Sequence, residues 1–555
     1  MIGVIANIEE QDVVREFFEL FKTPWEFYRR NRRYDVVLCT GEGEFDESAP
    51  LALLYAGTKT RFDEGRNAAV GGERTEACVL SFQGKRIPIY GRTATFAIQG
   101  QSLLTKEGTN ESVAYVDATS GSFRARIGYD LFREVRSLLT TGQPIAYASM
   151  PALDLHIEFL RTLVTACGVS LVEIPPVPEG FRFIACLTHD VDHPSLRHHQ
   201  WDSTTIGFLF RAVFESCWNL IRGHISLRDL LHNWLAALKL PFVQLGWAKD
   251  FWRDFDDRYL ELEEGLVSTF FVIPFKNRPG RKTDGAAPGR RAAGYQAKDL
   301  ANTIRKLTAS GHEVGLHGID AWLSTEAAGE ELREIQALSG ASEIGARMHW
   351  LYFNGESPAV LEKAGVAYDS TIGYNETVGY RAGTTQAFGP LEARQILELP
   401  MHVMDTALFY HSYLGLTRRE AKRLVGSMIE NASRLGGCLT INWHDRSLAP
   451  ERLWGGLYAE ILQELKDRGA WFATAGEAVA WFKKRRSASF DVEDGELNRA
   501  AIKLGANHGG DLPSLRLRRH EAGDFHRIDA QEPGNYVDVL IHAGAAMAAP
   551  FETNR

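Results

Sequence analysis

Short apolar runs alternate with helix-like stretches between about residues 181 and 485, and this alternation constrains the fold more than any other feature of the sequence. The runs are RFIACLT (182–188), LVSTFFVIPF (266–275), HEVGLHG (312–318), ARMHWLYF (346–353), VAYDSTIG (366–373), ILELPMHVM (396–404), GCLTINWHD (437–445) and AWFATAG (470–476). Such alternation is typical of parallel β/α units, and about eight of them predict a barrel. The active site of such a barrel lies where its strands end.

Ionisable side chains stand at the predicted ends of these strands. They are Asp190 and Asp192 after the first run, His317 in the third, Arg347 and His349 in the fourth, and His444 in the seventh. Because the carboxyl ends of parallel strands meet at one edge of a barrel, we expect these side chains to share a site.

The stretch ACLTHDVDHP (185–194) allows three interpretations on its own. It is an ordinary polar turn, a DxD motif that holds a metal on a nucleotide sugar in a glycosyltransferase, or part of a hydrolytic metal site. Side chains alternate along a strand, so Asp190 and Asp192 are expected to point to the same side and to reach one site.

A hydrolytic metal site needs a metal that acidifies water and polarises a carbonyl, a base that takes a proton, and an acid that protonates the leaving group. One aspartate can be the base and the other a ligand, with His317 as an imidazole ligand and His444 as the acid. A carboxylate with imidazoles suits zinc or a related first-row ion. Taken singly, His317 is more typical of a structural histidine, and His444 of a helix cap together with Asp445. Their joint placement favours a site.

Five segments together resemble the motifs of a known family. They are THDVD (188–192), STFFVIP (268–274), GHEVGLHG (311–318), RMH (347–349) and LTINWH (439–444). Residues 181–485 thereby resemble the polysaccharide deacetylases of carbohydrate esterase family 4, the NodB homology domain. YDSTIGY (368–374) followed by GYRAGT (379–384) also resembles a divergent bacterial branch of that family with an extra N-terminal domain, which would suit residues 1–180. The resemblance implies a distorted β/α barrel that uses a divalent metal to remove N- or O-acetyl groups from sugars.

The resemblance also implies a role for each matched residue. Asp190 is the base, and Asp192 and His317 are metal ligands. Arg347 orients the base, and His444 is the acid. The implied metal is zinc, with cobalt, nickel or manganese as alternatives, and the implied substrate is a carbohydrate, either free or linked to a lipid.

Two positions depart from the family pattern. A second histidine is expected four residues after His317, where this chain has Ala321, and position 349 is His where Pro is usual. We hypothesise that His349 takes the third ligand position from the adjacent strand, the alternative being a structural or substrate-contacting role. The other candidates for that ligand position are Asp320 and His193. Asp405, after the sixth run, is expected to orient His444 or to bind sugar.

The sequence therefore predicts a hydrolase that removes acetyl groups from N-acetylated sugars in bacterial polysaccharide metabolism. Three alternatives stay open. One is hydrolysis of a non-sugar C–N bond in the same fold, and another is a catalytically silent carbohydrate binder, which Ala321 favours. The third is a DxD glycosyltransferase, which leaves His317 and His444 unexplained.

Three regions of the chain differ in composition and in the pattern of their apolar residues. Residues 1–180 predict an N-terminal α/β domain of unknown role that ends at the proline-rich EIPPVPEG (173–180). Residues 181–485 form the predicted barrel, with a helical insertion at 195–264 that is rich in Trp and Leu. This insertion is either a cap on the barrel or an interfacial segment that touches a membrane or a lipid-linked substrate. The polar residues 486–555 predict a small β-rich appendage or tail.

Composition limits which binding partners and which cellular compartment we expect for the protein. The net charge of −9 argues against a nucleic-acid binder, which would carry a basic face. The six cysteines include no CxxC pair, so neither a zinc ribbon nor a dense disulfide framework is predicted. Neither a signal peptide nor a transmembrane segment is recognisable in the sequence. We therefore expect a cytoplasmic enzyme, free or peripheral at the inner membrane face, of open oligomeric state.

Overall fold

The computed structural model describes residues 1–41, 49–64, 69–97, 102–109, 111–119, 122–199, 202–223, 225–449, 451–492, 500–503, 512–525 and 536–541. The chain divides into two compact units. The first contains residues 1–180, 380–391 and 480–555, and the second contains 181–379 and 392–479. Much of the predicted C-terminal appendage, 486–555, lies outside the described residues.

The first unit is built on an 11-stranded mixed sheet. Its parallel part comprises Ile2–Ile5, Trp25–Phe27, Val36–Thr40, Leu51–Tyr55 and Ser122–Ile127. Its antiparallel part comprises Ala69–Arg74, Cys78–Phe82, Lys85–Ile89, Thr93–Ala97, Leu104–Lys106 and Ser112–Thr119. The helices of this unit are Gln11–Phe21, Leu131–Thr140 and Ala152–Ala166.

Two small antiparallel sheets complete the described part of the first unit. Leu171–Glu173 pairs with Leu515–His520, which pairs with Tyr536–Ile541. Ser489–Val492 pairs with Ala500–Lys503.

The second unit is built on a seven-stranded sheet in which every ladder is parallel. Its strands are Phe183–Val191, Thr269–Val272, Glu313–Gly318, Ala346–Met348, Val403–Met404, Cys438–Asn442 and Ala470–Ala473. Phe183–Val191 is the central strand, and all nine of its residues are buried. A strand covered on both faces is expected to carry a continuous apolar run rather than an alternating pattern, which is why residues 183–187 stand out in the sequence.

Isolated bridges extend this sheet beyond its regular ladders. Ala346 bridges to Asp369, and Asp369 bridges to Glu398, both in parallel. The chain then runs from Glu398 into Val403–Met404, which pairs with Cys438–Asn442 next to the central strand. The strand pairings and bridges therefore lead from the central strand around the sheet and back to it, and the sheet is barrel-like.

The runs 366–373 and 396–404 are far less regular than predicted, because they form bridges and one two-residue strand rather than full strands. The Asp369 carboxylate accepts hydrogen bonds from the Ser370 backbone N–H at 2.9 Å and from the Thr371 hydroxyl at 2.5 Å. Such local bonds compete with a ladder. Pro400 has no backbone N–H to donate to a neighbouring strand.

Helices lie between the strands of the second unit. They are Ser203–Leu209, Ser216–Ile221, Leu227–Gln244, Phe255–Leu262, Ala301–Ala309, Thr325–Ser339, Ser357–Ala364, Asp405–Phe409, Arg418–Leu435 and Gly455–Asp467, with a π-helical segment at Phe210–Glu215. A further helix, Ala475–Ser487, contains the boundary between the units. Among the described residues, no helix is long and apolar enough to cross a membrane.

Local sequence signals set the ends of these helices. The Ser324 hydroxyl accepts a hydrogen bond from the Ala327 N–H at the start of Thr325–Ser339, and Gly340 ends that helix with φ of 73°. A reciprocal pair of side-chain bonds between Thr417 and Glu420 starts Arg418–Leu435. Caps of this kind satisfy backbone groups that a helix end leaves unpaired.

Candidate active site

Three buried or nearly buried side chains with potential metal-ligand atoms lie together at the carboxyl edge of the parallel sheet. Asp192 directly follows the central strand, His317 lies in Glu313–Gly318, and His349 directly follows Ala346–Met348. Potential ligand atoms of these three residues all lie within 4.8 Å of one another. They form the only such group of three or more His, Cys, Asp or Glu in the part of the chain that the structure describes.

The hydrogen bonds of the two imidazoles fix which ring nitrogen faces the cluster. His317 Nδ1 lies 3.0 Å from the Arg347 carbonyl oxygen, and His349 Nε2 lies 3.0 Å from the Arg291 carbonyl oxygen. A carbonyl oxygen only accepts, so each of these nitrogens carries the proton. The opposite nitrogens, His317 Nε2 and His349 Nδ1, therefore carry lone pairs in the neutral rings. Metal-ligating histidines are typically held in this way.

Three electron-pair donors thus face one another without a proton between them. His317 Nε2 and His349 Nδ1 are 3.1 Å apart, and each lies 3.3 Å from Asp192 Oδ1. Among the described residues, Asp192 Oδ1 is buried and has no hydrogen-bond donor. An uncompensated cluster of this kind is costly, and a cation removes the cost.

The cluster fits a small divalent cation. Donors on a tetrahedral ion with bonds of about 2.0–2.1 Å are separated by about 3.3–3.4 Å, close to the distances found here. One carboxylate and two imidazoles are ligands that zinc and related first-row ions take. Burial lowers the pKa of His349 despite the nearby Asp192, which favours the neutral ring that a metal requires.

The Asp190 carboxylate is held on both of its oxygens. Arg347 Nη1 donates to Oδ1 at 3.0 Å, and Asn442 Nδ2 donates to Oδ2 at 2.8 Å. Burial alone would raise the pKa of Asp190, but Arg347, His317 and His444 outweigh it and hold that pKa below its usual value. Asp190 is therefore ionised and oriented at neutral pH.

Arg347 is fully buried, and each end of its guanidinium is used. Besides Asp190 it donates to the Thr188 hydroxyl at 2.8 Å, and to the Ser370 carbonyl and hydroxyl oxygens at 3.0 and 2.9 Å. The planar fork of arginine matches this set of acceptors, which a lysine could not reproduce.

His444 faces the cluster from the opposite side of the site. Its Nε2 lies 3.8 Å from Asp192 Oδ2, and its Nδ1 donates to Asp405 Oδ1 at 2.6 Å. Burial lowers the pKa of His444, but the fully buried Asp405 carboxylate, with Asp192 and Asp190, raises it to about 10. His444 is therefore protonated at neutral pH and can donate its Nε2 proton.

A cavity of about 410 Å³ opens onto these residues. Aromatic rings and guanidinium groups form much of its wall, namely those of Trp350, Tyr352, Tyr410, Tyr413, Trp454, Arg290, Arg291, Arg446 and Arg452. Arg446 and Arg452 both donate to the Tyr410 hydroxyl, at 3.3 and 3.1 Å. Burial raises the pKa of Tyr410, but these arginines outweigh it and lower the pKa to about 7.

The structure places five of the predicted site residues on the wall of this cavity, namely Asp190, Asp192, His317, His349 and His444, with Arg347 directly behind Asp190. The other candidate ligands lie outside the three-donor cluster. Asp320 Oδ1 accepts the Arg281 N–H at 2.8 Å, and His193 Nδ1 lies 3.0 Å from His199 Nε2. Ala321 is buried and offers only a methyl group.

Several contacts in the site were not predicted from the sequence, and two of them bear directly on the chemistry. Asn442 binds Asp190, and the Arg291 carbonyl sets the proton position on His349. Asn442 had a detectable signal, because it lies two residues before His444 and side chains alternate along a strand. A backbone carbonyl carries no signal of this kind, since any residue type supplies one.

Comparison with known proteins gives solved structures only, since no protein-family model and no curated protein matches the chain. A probable polysaccharide deacetylase from Pseudomonas aeruginosa PAO1 is 13% identical, with a TM-score of 0.35 over 56% of this chain and 94% of that one. A family 4 acetyl xylan esterase from Clostridium thermocellum, solved with a cobalt ion, is 15% identical, with a TM-score of 0.24 over 54% and 91%. Peptidoglycan deacetylase PdaC from Bacillus subtilis is 13% identical, with a TM-score of 0.24 over 56% and 95%. With TM-scores this low, the function of this chain rests on the geometry of its own residues.

Proposed function

We propose that this protein is a metal-dependent hydrolase that removes acetyl groups from N-acetylated sugars, free or linked to a lipid. The observation that carries the proposal is the cluster of Asp192, His317 and His349 between an ionised carboxylate, Asp190, and a protonated imidazole, His444. The sugar class follows from the motif resemblance of residues 181–485, and the cavity of about 410 Å³ can hold a small ligand.

The residues divide the chemistry of amide hydrolysis between them. Asp192, His317 and His349 would hold a divalent cation, with zinc favoured over cobalt, nickel or manganese. Such a cation supplies a Lewis acid for the acyl carbonyl and lowers the pKa of water to about 7. Asp190, kept ionised and oriented by Arg347 and Asn442, accepts the proton of the attacking water.

His444 completes the reaction as the acid. The amine that leaves an N-acetyl group must take up a proton as the C–N bond breaks. The Nε2 proton of His444 faces the cluster while Asp405 holds Nδ1. Neighbouring charges lower the pKa of Asp190 and raise the pKa of His444. Two titratable groups whose pKa values are moved apart in this way are typical of the base and the acid of a hydrolytic site.

Metal analysis of the purified protein tests the ligand set. We expect one equivalent of a first-row metal in the wild type and a loss of affinity of about 100-fold or more in His349→Ala, since removal of a mere outer-shell partner already costs about 10–100-fold. His411→Ala is the matched control, because His411 is exposed and lies outside the cluster. Full metal retention in His349→Ala would overturn the assignment of His349.

Acetate release from N-acetylated oligosaccharides tests the reaction. We expect Asp190→Asn and His444→Gln to lose turnover while they keep the metal. Undiminished turnover in Asp190→Asn would refute its role as base. A wild type that binds the metal and the oligosaccharides without releasing acetate would be the silent carbohydrate binder. Stabilisation by nucleotide sugars in a thermal-shift screen would favour the glycosyltransferase alternative.

A further inference from the structure

Large apolar side chains are exposed in one segment of the second unit. Of the 21 exposed large hydrophobic residues in the described chain, 13 lie between residues 206 and 247. They are Ile206, Phe210, Phe214, Trp218, Ile221, Leu227, Leu231, Trp234, Leu235, Leu238, Phe242, Leu245 and Trp247. A concentration of this size on one segment marks an interaction surface, whereas single exposed apolar residues are ordinary.

Two successive helical stretches carry these residues on their outward faces. Along 203–221, Phe210, Phe214 and Trp218 follow one another at intervals of four and are exposed by 54–67%, whereas Phe208 and Ala212 on the other face are buried. The helix Leu227–Gln244 repeats the pattern, with an exposed set of Leu231, Trp234, Leu235, Leu238 and Phe242 and a buried set of Leu230, Asn233, Ala236, Leu240 and Val243.

The buried faces of both stretches pack into one core. Phe208 and Ala212 of the first share a cluster with Ala236, Leu240 and Val243 of the second. Because both stretches are anchored through this common core, the fold does not need their outer apolar side chains. We name these outer side chains, from Ile206 to Trp247, the apolar face.

The charges of this segment have one prevailing sign. Residues 206–247 contain four cationic side chains, Arg211, Arg222, Arg228 and Lys239, and two anionic ones, Glu215 and Asp229, while the whole chain is anionic at −9. Three of these cations, Arg222, Arg228 and Lys239, are exposed. The Arg222 guanidinium lies over the Trp218 ring at 4.6 Å, so a cation sits directly at the apolar face.

We propose that the apolar face binds the surface of an anionic phospholipid bilayer, with the exposed cations contacting lipid phosphates. Trp, Phe and Leu beside Lys and Arg form the composition that lies in the plane of such a surface. A symmetric contact between two copies would bring cations of the same sign together, which disfavours that occupant. Insertion across the bilayer is not expected, because none of the described helices is long and apolar enough to span it.

The apolar face adjoins the mouth of the candidate active site. Glu215 accepts a hydrogen bond from His411 Nε2 at 3.1 Å, and the neighbours of His411, Tyr410 and Ser412, line the cavity. A bilayer bound at this face would lie beside the cavity. If the proposed deacetylase function holds, the substrate is an acetylated sugar carried on a lipid. Bilayer binding itself does not depend on that function.

Co-sedimentation of the full chain with vesicles tests the proposal. We expect binding to vesicles of phosphatidylethanolamine with phosphatidylglycerol, weaker binding to pure phosphatidylcholine, and release by high salt. The variant Phe210→Ser, Phe214→Ser, Trp218→Ser should lose affinity by about tenfold or more. The pair Ile8→Ser, Ile145→Ser is the matched control, because these exposed apolar residues belong to the first unit.

Fluorescence separates contact with lipid from a folding defect. Brominated lipids should quench the emission of exposed Trp218, Trp234 and Trp247. Replacement of all three by Leu keeps the face apolar, so vesicle binding should persist while quenching falls. Thermal unfolding of each variant reports on folding. Equal vesicle binding by the triple Ser variant and the wild type would overturn the proposal.

Two further outcomes also overturn it. A wild type that stays in solution with anionic vesicles at low salt does not bind a bilayer through this face. If light scattering then shows a dimer that the triple Ser variant dissociates, the face joins two copies of the chain. Acetate release from water-soluble oligosaccharides is a separate readout, so failure of the deacetylase function and failure of bilayer binding are distinguishable.

Discussion

Replacing Asp405 with Asn should move the alkaline limit of activity, because Asp405 controls the protonation of His444. Asp405 is fully buried and accepts from the His444 backbone N–H at 2.7 Å and from His444 Nδ1 at 2.6 Å. Its charge is the main reason that the pKa of His444 reaches about 10 despite burial. Asn preserves the shape of the side chain but removes this charge, so the pKa should fall back to about 6.5 or below.

The size of the effect follows from the two pKa values. At pH 8, about 99% of His444 is protonated with a pKa of about 10, but only about 3% with a pKa of about 6.5. At pH 6 the corresponding fractions are about 100% and about 76%. The activity of Asp405→Asn relative to wild type should therefore fall by about 25-fold between pH 6 and pH 8, on top of any loss in positioning that is independent of pH.

Two measurements check this prediction. A profile of kcat/KM for acetate release from pH 5.5 to about 10 reports the pKa values of the free enzyme. NMR titration of the histidine rings, with His444 assigned by comparison with His444→Gln, reports the same pKa without activity. A variant whose alkaline limb and ring titration coincide with those of the wild type would refute the role of Asp405.

The same pair makes stability depend on pH. The folded-state pKa of His444 lies above its ordinary value of 6.5, so protonation stabilises the fold fully below about pH 6.5. This contribution is lost as the pH rises through about 10. Asp405→Asn should therefore lower the melting temperature most at pH 6, and the difference from wild type should narrow toward pH 10. A difference that widens with pH would contradict the direction of the shift.

Three further predictions concern the groups around Asp190 and the metal. Arg347→Lys should raise the pKa of Asp190 and shift the acidic limb of kcat/KM upward while metal content stays unchanged, because one ammonium group cannot replace four hydrogen bonds. Asn442→Ala should lower kcat by about tenfold with little change in KM, since it frees one oxygen of Asp190 without touching the cavity wall. Removal of the metal by a chelator should lower the melting temperature of the wild type, and zinc at about 100 times its dissociation constant should restore about 2.7 kcal/mol of unfolding free energy. At the same zinc concentration His349→Ala should regain no more than about 0.4 kcal/mol.

The strand pattern was visible in the sequence for a physical reason. A parallel strand that is covered on both faces leaves a continuous apolar run, as in residues 183–187, the first five of the nine buried residues of Phe183–Val191. All eight predicted runs contribute a strand or a bridge to one sheet. The runs 366–373 and 396–404 form less regular strands than predicted. Asp369 makes local hydrogen bonds in the first run, and Pro400 has no backbone N–H to donate in the second.

The contacts that tune the site were less accessible to prediction. The Asp190 partners Arg347 and Asn442 lie 157 and 252 residues away in the sequence. Local pattern reasoning finds such residues only when they sit at recognisable strand ends. The proton position on His349 depends on the Arg291 carbonyl, to which the side-chain identity at 291 contributes nothing. The sequence left open whether the helical insertion is a cap or an interfacial segment. The exposure of an apolar side chain on a helix depends on which side of the helix the core covers, and the sequence does not show this.

We propose His349 as the third ligand, in place of a histidine that Ala321 does not supply. Asp190 and Asp192 are two residues apart, and so are Arg347 and His349, and each pair spans the end of a strand, since the strands are Phe183–Val191 and Ala346–Met348. The site accordingly has two levels: Arg347 contacts Asp190 at 3.0 Å, and His349 approaches Asp192 to 3.3 Å.

His317 connects the two levels, because its Nε2 lies 3.9 Å from Asp190 Oδ2 and 3.3 Å from Asp192 Oδ1. Arg347 and His349 thus meet Asp190 and Asp192 in the same order along their two segments. A ligand at position 349 is geometrically available because the chain directly after Ala346–Met348 brings the His349 ring to Asp192 and His317.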